Sequence, residues 1–252
     1  MFEPGFDQAA GLRASLPGAH AALVPLASPA QPSRAFEWLC HLAAELAAQD
    51  REVIVVDATA HEAAALRDTD DASLGLHQAL QDPSVAQLGA IGDAGEWRVM
   101  PGALGLDLLL DTARHAGPKR ALARLLAPFA SGALVLLFAP PQALGALLGG
   151  CGGRVLVPVL PQAQASIDAY GAVKLLQQAG LNPVLTPTVE APAQVVGNVV
   201  DCAARYLNHS LSVWPSATWA LRAQESALIP AGDTATPRLR GAHARATHSL
   251  WS

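Results

Sequence analysis

The sequence predicts an α/β fold with a mostly parallel, twisted sheet and helices on both of its faces. Short apolar runs rich in leucine or β-branched residues alternate with longer alanine- and leucine-rich segments of helical period, a pattern typical of a covered parallel sheet. Hydrophobic residues make up 51% of the 252 positions, which is ample for one buried core. We therefore expect one large domain or two small ones, and not a disordered or fibrous chain.

The predicted strands are compact runs bounded by turn residues, at 22–27, 52–57, 98–100, 133–138, 154–160 and 183–189. The predicted helices fill the intervals between them, at 33–49, 104–126, 165–179, 193–212 and 217–228. Pro32 and Ser33 form a plausible cap for the first helix, and Gly180 closes the third. A glycine cluster at 145–153 precedes a strand and is expected to be a loop, not a phosphate site.

The two ends of the chain are expected to lie outside this core. Residues 1–17 are predicted to form a short amphipathic helix. Such a helix is only marginally stable alone and needs a surface to pack against. Residues 18–230 are predicted to form the α/β domain, and residues 231–252 are predicted to form a flexible, mildly basic tail. The apolar face of the tail is weak, so we expect membrane association to be weak or absent.

Charge and composition argue against several classes of function. The chain has 16 basic and 21 acidic residues, a formal net charge of −5, so no basic field favours nucleic-acid binding. The N-terminus lacks the basic-then-apolar order of a signal peptide, which predicts a cytoplasmic protein. Three scattered cysteines offer neither a disulfide framework nor metal spacing, and we expect buried thiols. The histidines show no metal-binding spacing either, so no metal site is expected.

Four segments carry a resemblance to a known superfamily. They are residues 39–47 (LCHLAAELA), 51–58 (REVIVVDA), 97–102 (WRVMPG) and 165–176 (ASIDAYGAVKLL). In this order they resemble VNLAAALA, GKRVLVVDAD, LRVLPAG and TSIxDAYALIKLL of the MinD/ParA-type deviant-Walker ATPases. The resemblance implies a P-loop NTPase fold with its nucleotide loop directly after the first strand.

The N-terminal segment is similar to one branch of that superfamily. Residues 6–13 (FDQAAGLR) resemble the DQAxGLRxL segment of the FlhG (FleN) family of flagellar-number regulators. The resemblance implies that this segment binds an FlhF-like GTPase of the signal-recognition-particle type, with Gln8 reaching the partner's nucleotide site. The implied partner-binding residues are Phe6, Asp7, Gln8, Leu12, Arg13 and Leu16. A helix packed on its own domain is the alternative.

The nucleotide loop departs from the family pattern. It reads SPAQPSRAF at residues 28–36, and no glycine occurs from Ala19 to Leu74. A phosphate loop needs converging backbone N–H groups, a lysine and a Mg²⁺-binding hydroxyl. The resemblance aligns Ala30 and Ala35 with the family's two lysines and Phe36 with the hydroxyl.

The acidic positions depart as well. Phe138 aligns with the Walker-B-like carboxylate, and Thr59 with the acidic residue that follows Asp57 by two. What is left is a degenerate nucleotide site of Ser33, Arg34 and Asp57, in which Asp57 is more simply read as a turn residue at a strand end. We expect no bound ATP or Mg²⁺, no ATP-sandwich dimer and no catalytic residue.

The sequence thus predicts a pseudo-ATPase that regulates flagellar biogenesis through protein binding. Two alternatives stay open. One is an active ATPase in which Arg34 and Asp57 serve a remodelled loop. The other is a MinD-like accessory protein of a different system, such as cellulose secretion. Asp168 and Lys174 are expected on a solvated or interface face of their helix.

Overall fold

The structure is a computed structural model that describes residues 20–49, 51–60, 75–83, 97–162, 164–188 and 190–230. In these residues one sheet contains seven strands, β1 (Ala22–Ala27), β2 (Val53–Asp57), β3 (Trp97–Pro101), β4 (Leu134–Ala139), β5 (Arg154–Val159), β6 (Asn182–Pro187) and β7 (Ser212–Val213). Their order is β3-β2-β4-β1-β5-β6-β7, and all neighbouring strands pair in parallel. The predicted α/β fold class is confirmed.

Helices cover both faces of the sheet. They are α1 (Phe36–Ala47), α2 (Leu76–Gln81), α3 (Ala103–Ala116), α4 (Pro118–Leu126), α5 (Pro141–Leu148), α6 (Ala165–Gln178), α7 (Ala193–Leu207) and α8 (Trp219–Glu225). Helices α1 and α8 contribute to the hydrophobic cluster on one face, and most buried residues of the other described helices belong to the cluster on the opposite face. The predicted two-sided helical cover is therefore present.

The centre of the sheet is apolar on both faces. In β4, Leu134, Leu136 and Phe138 belong to the α1 side, whereas Val135 and Leu137 belong to the opposite side. All five side chains are fully buried. A strand buried on both sides needs an unbroken apolar run, which explains why period-two alternation of polar residues is missing from the sequence here.

The predicted helix at 104–126 is wrong in one respect, because it is broken in two. Gly117 adopts φ +87°, a left-handed conformation, between the end of α3 and the start of α4. Pro118 then begins α4, where its missing N–H costs nothing. The apolar period continues across the break, so periodicity alone did not reveal it.

The predicted helix at 193–212 is too long. Helix α7 ends at Leu207, and Asn208 takes a left-handed φ of 49° as its C-cap. The chain thereby becomes free to form β7, a seventh strand that pairs with Val184 and Leu185 of β6. Two residues of strand give too little sequence signal to predict.

Two smaller expectations also need correction. Gly145 of the glycine cluster lies inside helix α5, not in a loop. Cys40, Cys151 and Cys202 are partly exposed, not buried. Partial desolvation still raises the pKa of the Cys40 thiol, and it raises the pKa of Cys151 against the opposing effect of Lys119.

The topology places one crevice at the carboxyl ends of the central strands. The chain leaves β1 and next forms β2, which lies on one side of β1 in the sheet, beyond β4. On its other side β1 pairs with β5. At such a switch point the loops after neighbouring strands diverge, and open α/β sheets bind ligands there. The loop after β1 lies at this position.

Candidate functional site

The loop after β1 is built differently from a phosphate loop. Residues 32–35 form a single turn of 3₁₀ helix that leads directly into α1, with Arg34 N–H donating to the Gln31 carbonyl at 3.2 Å. None of residues 28–36 has a positive φ. Pro29 and Pro32 also lack N–H donors. A nest of alternating right- and left-handed residues, which converges N–H groups on an anion, is therefore not formed by this loop.

Two aromatic rings meet beside this loop. Phe36, the first residue of α1, and Phe138 of β4 have ring centroids 6.0 Å apart at an interplanar angle of 66°. Phe138 is fully buried and Phe36 half-buried. Edge-to-face contact of this kind is a favourable apolar arrangement. It supplies no oxygen or nitrogen ligand.

Asp57, at the end of β2, is engaged locally. Its Oδ1 accepts the Thr59 N–H at 2.9 Å and the Thr59 hydroxyl at 2.6 Å, and the residue is only 3% exposed. A carboxylate that accepts from the residue two positions on forms an Asx-type turn. The reading of Asp57 as a strand-end turn residue agrees with this geometry.

One cavity of about 270 Å³ lies between the loop after β1 and helix α6, and we call it the loop cavity. Its wall includes Gln31 and Arg34 from the loop and Gln164 and Asp168 from the start of α6. Arg34 is exposed and Asp168 half-buried. The cavity therefore carries one cation and one carboxylate on opposite walls.

A wider groove of about 700 Å³ continues along the same edge of the sheet, across the ends of β1, β2 and β4. It is lined mainly by apolar and small side chains, with Asp107 and Asp168 as its carboxylates. Ser28 and Thr59 supply hydroxyl groups. Ile167 on its rim is 63% exposed.

A third cavity of about 240 Å³ lies on the β6 side of the loop, and we call it the tryptophan cavity. Its wall consists of Arg34, Glu37, Trp38, His41, Leu160, Pro161, Gln162, Thr188, Glu190 and Trp219. The rings of Trp38 and Trp219 meet edge to face at 6.1 Å and 75°. The Trp219 indole N–H donates to the Trp214 carbonyl at 2.9 Å.

The three residues expected to form the degenerate nucleotide site lie on two elements of the fold. Ser33 and Arg34 are exposed on the 3₁₀ turn, and Arg34 lines both the loop cavity and the tryptophan cavity. Asp57 lies two strands from β1, at the far side of β4. The six expected partner-binding residues, from Phe6 to Leu16, lie outside the described residues, as does the 231–252 tail.

Sequence reasoning did not find the tryptophan cavity. Its residues come from four separate stretches of the chain, and Trp219 reaches it only because α8 packs on α1. The spacing of Trp38 and His41 places them on one helical face, but an aromatic face usually marks core packing. A helical period shows which face is buried and not that a cavity lies against it.

The described part of the chain lacks two kinds of feature. No cluster of three or more histidine, cysteine, aspartate or glutamate side chains there could hold a metal ion. No described helix combines the length and apolar character needed to cross a membrane.

Comparison with known proteins points to the fold. Neither protein-family models nor curated proteins match the chain. Among solved structures, an ATP complex of a McdA variant from Cyanothece aligns with a TM-score of 0.50 at 13% identity, covering 84% of this chain and 90% of that chain. The chain has a MinD/ParA-like P-loop NTPase fold. At this identity the likeness defines fold alone.

Two further structures align less closely. MinD in the MinC:MinD cell division complex of Aquifex aeolicus aligns with a TM-score of 0.46 at 12% identity, covering 81% of this chain and 86% of that chain. The septum site-determining protein MinD of Pyrococcus horikoshii, complexed with Mg-ADP, aligns with a TM-score of 0.45 at 16% identity and the same coverage.

Proposed function

We propose that this chain is a catalytically inactive, FlhG-like regulator of flagellar biogenesis that acts in the cytoplasm by binding another protein. Its partner in this proposal is an FlhF-like GTPase of the signal-recognition-particle type. The contact is made by the N-terminal segment that includes Phe6, Gln8 and Leu12. The fold is retained as a rigid carrier, while ATP binding and hydrolysis are lost.

The observation that carries the proposal is the contact between Phe36 and Phe138. In the sequence resemblance these are the positions of the Mg²⁺-binding hydroxyl and the Walker-B-like carboxylate. Here two rings 6.0 Å apart fill them. Because Mg²⁺ takes oxygen ligands, a pair of phenyl rings does not fit the ion.

The loop itself supports the same conclusion. Its residues have no left-handed backbone positions and two of them are prolines, so few N–H groups can converge on phosphate. Arg34 is its one cationic residue, and the two lysines of the chain, Lys119 and Lys174, lie elsewhere. Each phosphate charge left unpaired on burial costs several kcal/mol, on the order of the ion-pair penalties known for proteins.

The first test measures nucleotide binding directly. Titration of a fluorescent ATP analogue with Mg²⁺ is expected to give no saturable signal at millimolar concentrations, and light scattering is expected to show the same mass with and without ATP. Saturable binding or an ATP-dependent rise in mass would refute the inactive state. The variant Arg34→Gln then shows whether such binding depends on the loop.

The second test addresses the partner. Pull-down of FlhF together with measurement of its GTP turnover is expected to show binding and stimulation, because a glutamine can orient the attacking water in a GTPase site. Gln8→Ala is expected to reduce the stimulated rate at least tenfold. Gln31→Ala, which alters an exposed glutamine of the loop after β1, is the matched control.

An equal effect of both variants, or none from Gln8→Ala, would contradict the role of Gln8. Absence of any FlhF binding would favour the second alternative, an accessory protein of another system such as cellulose secretion. The first alternative, an ATPase with a remodelled loop, is favoured by one observation, since Arg34 lines the loop cavity beside Ser28. The nucleotide titration decides it.

A further inference from the structure

Basic and acidic residues are unevenly distributed along the chain. None of the 21 acidic residues lies between positions 112 and 167. Five of the 16 basic residues lie there, namely Arg114, Lys119, Arg120, Arg124 and Arg154. This stretch therefore has a formal charge of +5, whereas the rest of the chain, with 11 basic and 21 acidic residues, has −10. Four of the five cations fall at the corner between α3 and α4.

Three of these cations are exposed and unpaired, and we call them the basic ridge. Arg114 lies in the last turn of α3, and Lys119 and Arg120 lie in the first turn of α4. In the part of the chain that the structure describes, none of the three side chains forms a salt bridge or a hydrogen bond. Asp111, the acidic residue before the ridge on α3, lies 3.4 Å from His115 Nδ1 and does not pair with the ridge.

The corner that carries the ridge has a fixed shape. Gly117 takes φ +87° between the two helices, and Pro118 begins α4. The Arg124 guanidinium donates to the Thr112 hydroxyl at 2.7 Å, and this hydroxyl donates to the Leu108 carbonyl at 2.9 Å. The fourth cation of the corner therefore joins α4 to α3, while the three ridge cations remain in solvent.

The positions of Lys119 and Arg120 are unfavourable for α4 itself. The first turn of a helix carries a partial positive charge, so acidic residues stabilise it and cations destabilise it. No acidic residue lies in the first turn of α4 to offset the two cations. Residues that weaken their own helix and have no partner in the described structure are better explained by binding than by folding.

We propose that the basic ridge is the docking surface for an acidic segment of a partner protein. Arg114, Lys119 and Arg120 pair with the carboxylates of a segment that contains several aspartate or glutamate residues. The complementary charge attracts the segment and steers the partner to the corner between α3 and α4. The inference does not depend on the proposed function, because neither the N-terminal segment nor the loop after β1 contributes to the ridge.

Two other anionic partners fit the ridge less well. Stable binding to a membrane surface uses apolar side chains, and no large hydrophobic side chain is exposed among the described residues from 105 to 166. A long nucleic acid would extend beyond the ridge, and the rest of the chain, with its formal charge of −10, would repel it. A short acidic segment meets only the three cations.

The test is fluorescence anisotropy of a labelled acidic peptide, GSEEDEEDEEGS, with the full chain in 50 mM NaCl. The matched probe is GSQQNQQNQQGS, in which an amide replaces each carboxylate of the acidic residues. The acidic peptide is expected to bind saturably and the amide peptide at least tenfold more weakly. Raising NaCl to 300 mM is expected to weaken binding of the acidic peptide at least tenfold, because salt screens exposed charges.

Two double variants locate the binding. Lys119→Gln with Arg120→Gln removes two ridge cations and is expected to weaken binding at least fivefold. Arg154→Gln with Arg222→Gln removes the same charge from the opposite face of the sheet, where both guanidinium groups lie 5.8 Å from the centre of the Trp214 ring. This control is expected to change the affinity less than twofold.

Thermal denaturation separates binding from a structural role. Because Lys119 and Arg120 oppose the dipole of α4, the ridge variant is expected to have a Tm no lower than that of the unaltered chain.

Four outcomes would overturn the proposal. The first is absence of saturable binding of the acidic peptide. The second is equal weakening by the two double variants, which would indicate a general effect of net charge. The third is a Tm of the ridge variant below that of the unaltered chain, which would indicate a structural role. The fourth is binding of a 20-base-pair DNA duplex, of phosphatidylcholine vesicles with 30% phosphatidylglycerol or of a second copy of the chain, lost in the ridge variant, without binding of the acidic peptide.

Discussion

Two aromatic pairs lie within one turn of helix α1 and have opposite consequences. Phe36 meets Phe138 at 6.0 Å, and Trp38 meets Trp219 at 6.1 Å, both in edge-to-face geometry. In the proposed function, the phenylalanine pair fills the positions that the resemblance aligns with oxygen ligands. The tryptophan pair lines a cavity, and one of its indole N–H groups has no acceptor among the described residues.

This difference shows that ring geometry alone does not decide whether an aromatic pair fills a site or lines a cavity. Phenyl rings have no polar atoms, so contact between them is complete in itself. An indole has an apolar body and one donor, and a buried donor needs a partner. In Trp219 that partner is the Trp214 carbonyl, whereas Trp38 has none among the described residues.

The largest expected effect comes from replacing one ring of the phenylalanine pair with a carboxylate. Phe138→Asp buries an unpaired charge at a fully buried position and is expected to cost about 4 kcal/mol or more of unfolding free energy. At this chain length that is a fall of roughly 8–16 °C in Tm. Thermal denaturation measures it, with Phe138→Leu, expected to cost about 1–2 kcal/mol, as control.

The contrast between the two aromatic pairs would be contradicted if the Phe138→Asp variant stayed folded and also gained Mg²⁺-dependent ATP binding. That result would mean that the remaining residues of the site can bind the nucleotide and that the ring alone prevents it.

A smaller effect is expected from opening the tryptophan pair. Trp219→Ala removes a buried ring that packs on Trp38 and is expected to cost about 3–5 kcal/mol. Because α8 packs on α1 through this residue, we expect earlier loss of α8 on heating. Chemical denaturation measures the free energy. A cost below about 1 kcal/mol would show that the ring does not hold the wall of the cavity.

The smallest effect is expected for Trp38→Phe. Its indole N–H is unpaired, so removing it relieves a desolvation cost that offsets part of the lost packing, and the net change is expected to stay within about 1 kcal/mol. Trp219→Phe is the matched comparison, because it deletes a donor that is hydrogen-bonded at 2.9 Å. An equal or larger cost for Trp38→Phe would contradict the distinction between the two rings.

The sheet was largely predictable from the sequence because its central strands are buried on both faces. The predicted strand at 22–27 coincides with β1, and the other five predicted strands overlap the observed ones. The ends of two helices were harder to predict from the sequence. Gly117 and Asn208 interrupt runs whose apolar period continues, so a backbone conformation and not a hydrophobic pattern sets these ends.

The candidate site was predictable only in part. The unusual loop at 28–36 could be recognised from its prolines and missing glycines, which are local signals. Contact between Phe36 and Phe138 joins residues about a hundred positions apart, and the tryptophan cavity joins four stretches of chain. Contacts of this kind are set by the packing of helices on the sheet, which leaves no trace in any one segment.

The short bridge between Leu23 and Leu228 has a consequence for the layout of the molecule. The two residues exchange backbone hydrogen bonds of 2.8 Å at the amino end of the central strand. The first and last described residues therefore enter and leave the fold at the same pole, opposite the pole that bears the cavities. With β1 six residues long, about 20 Å separates the poles. A protein bound beside the first or last described residue and a small molecule at the far pole have room to be present together.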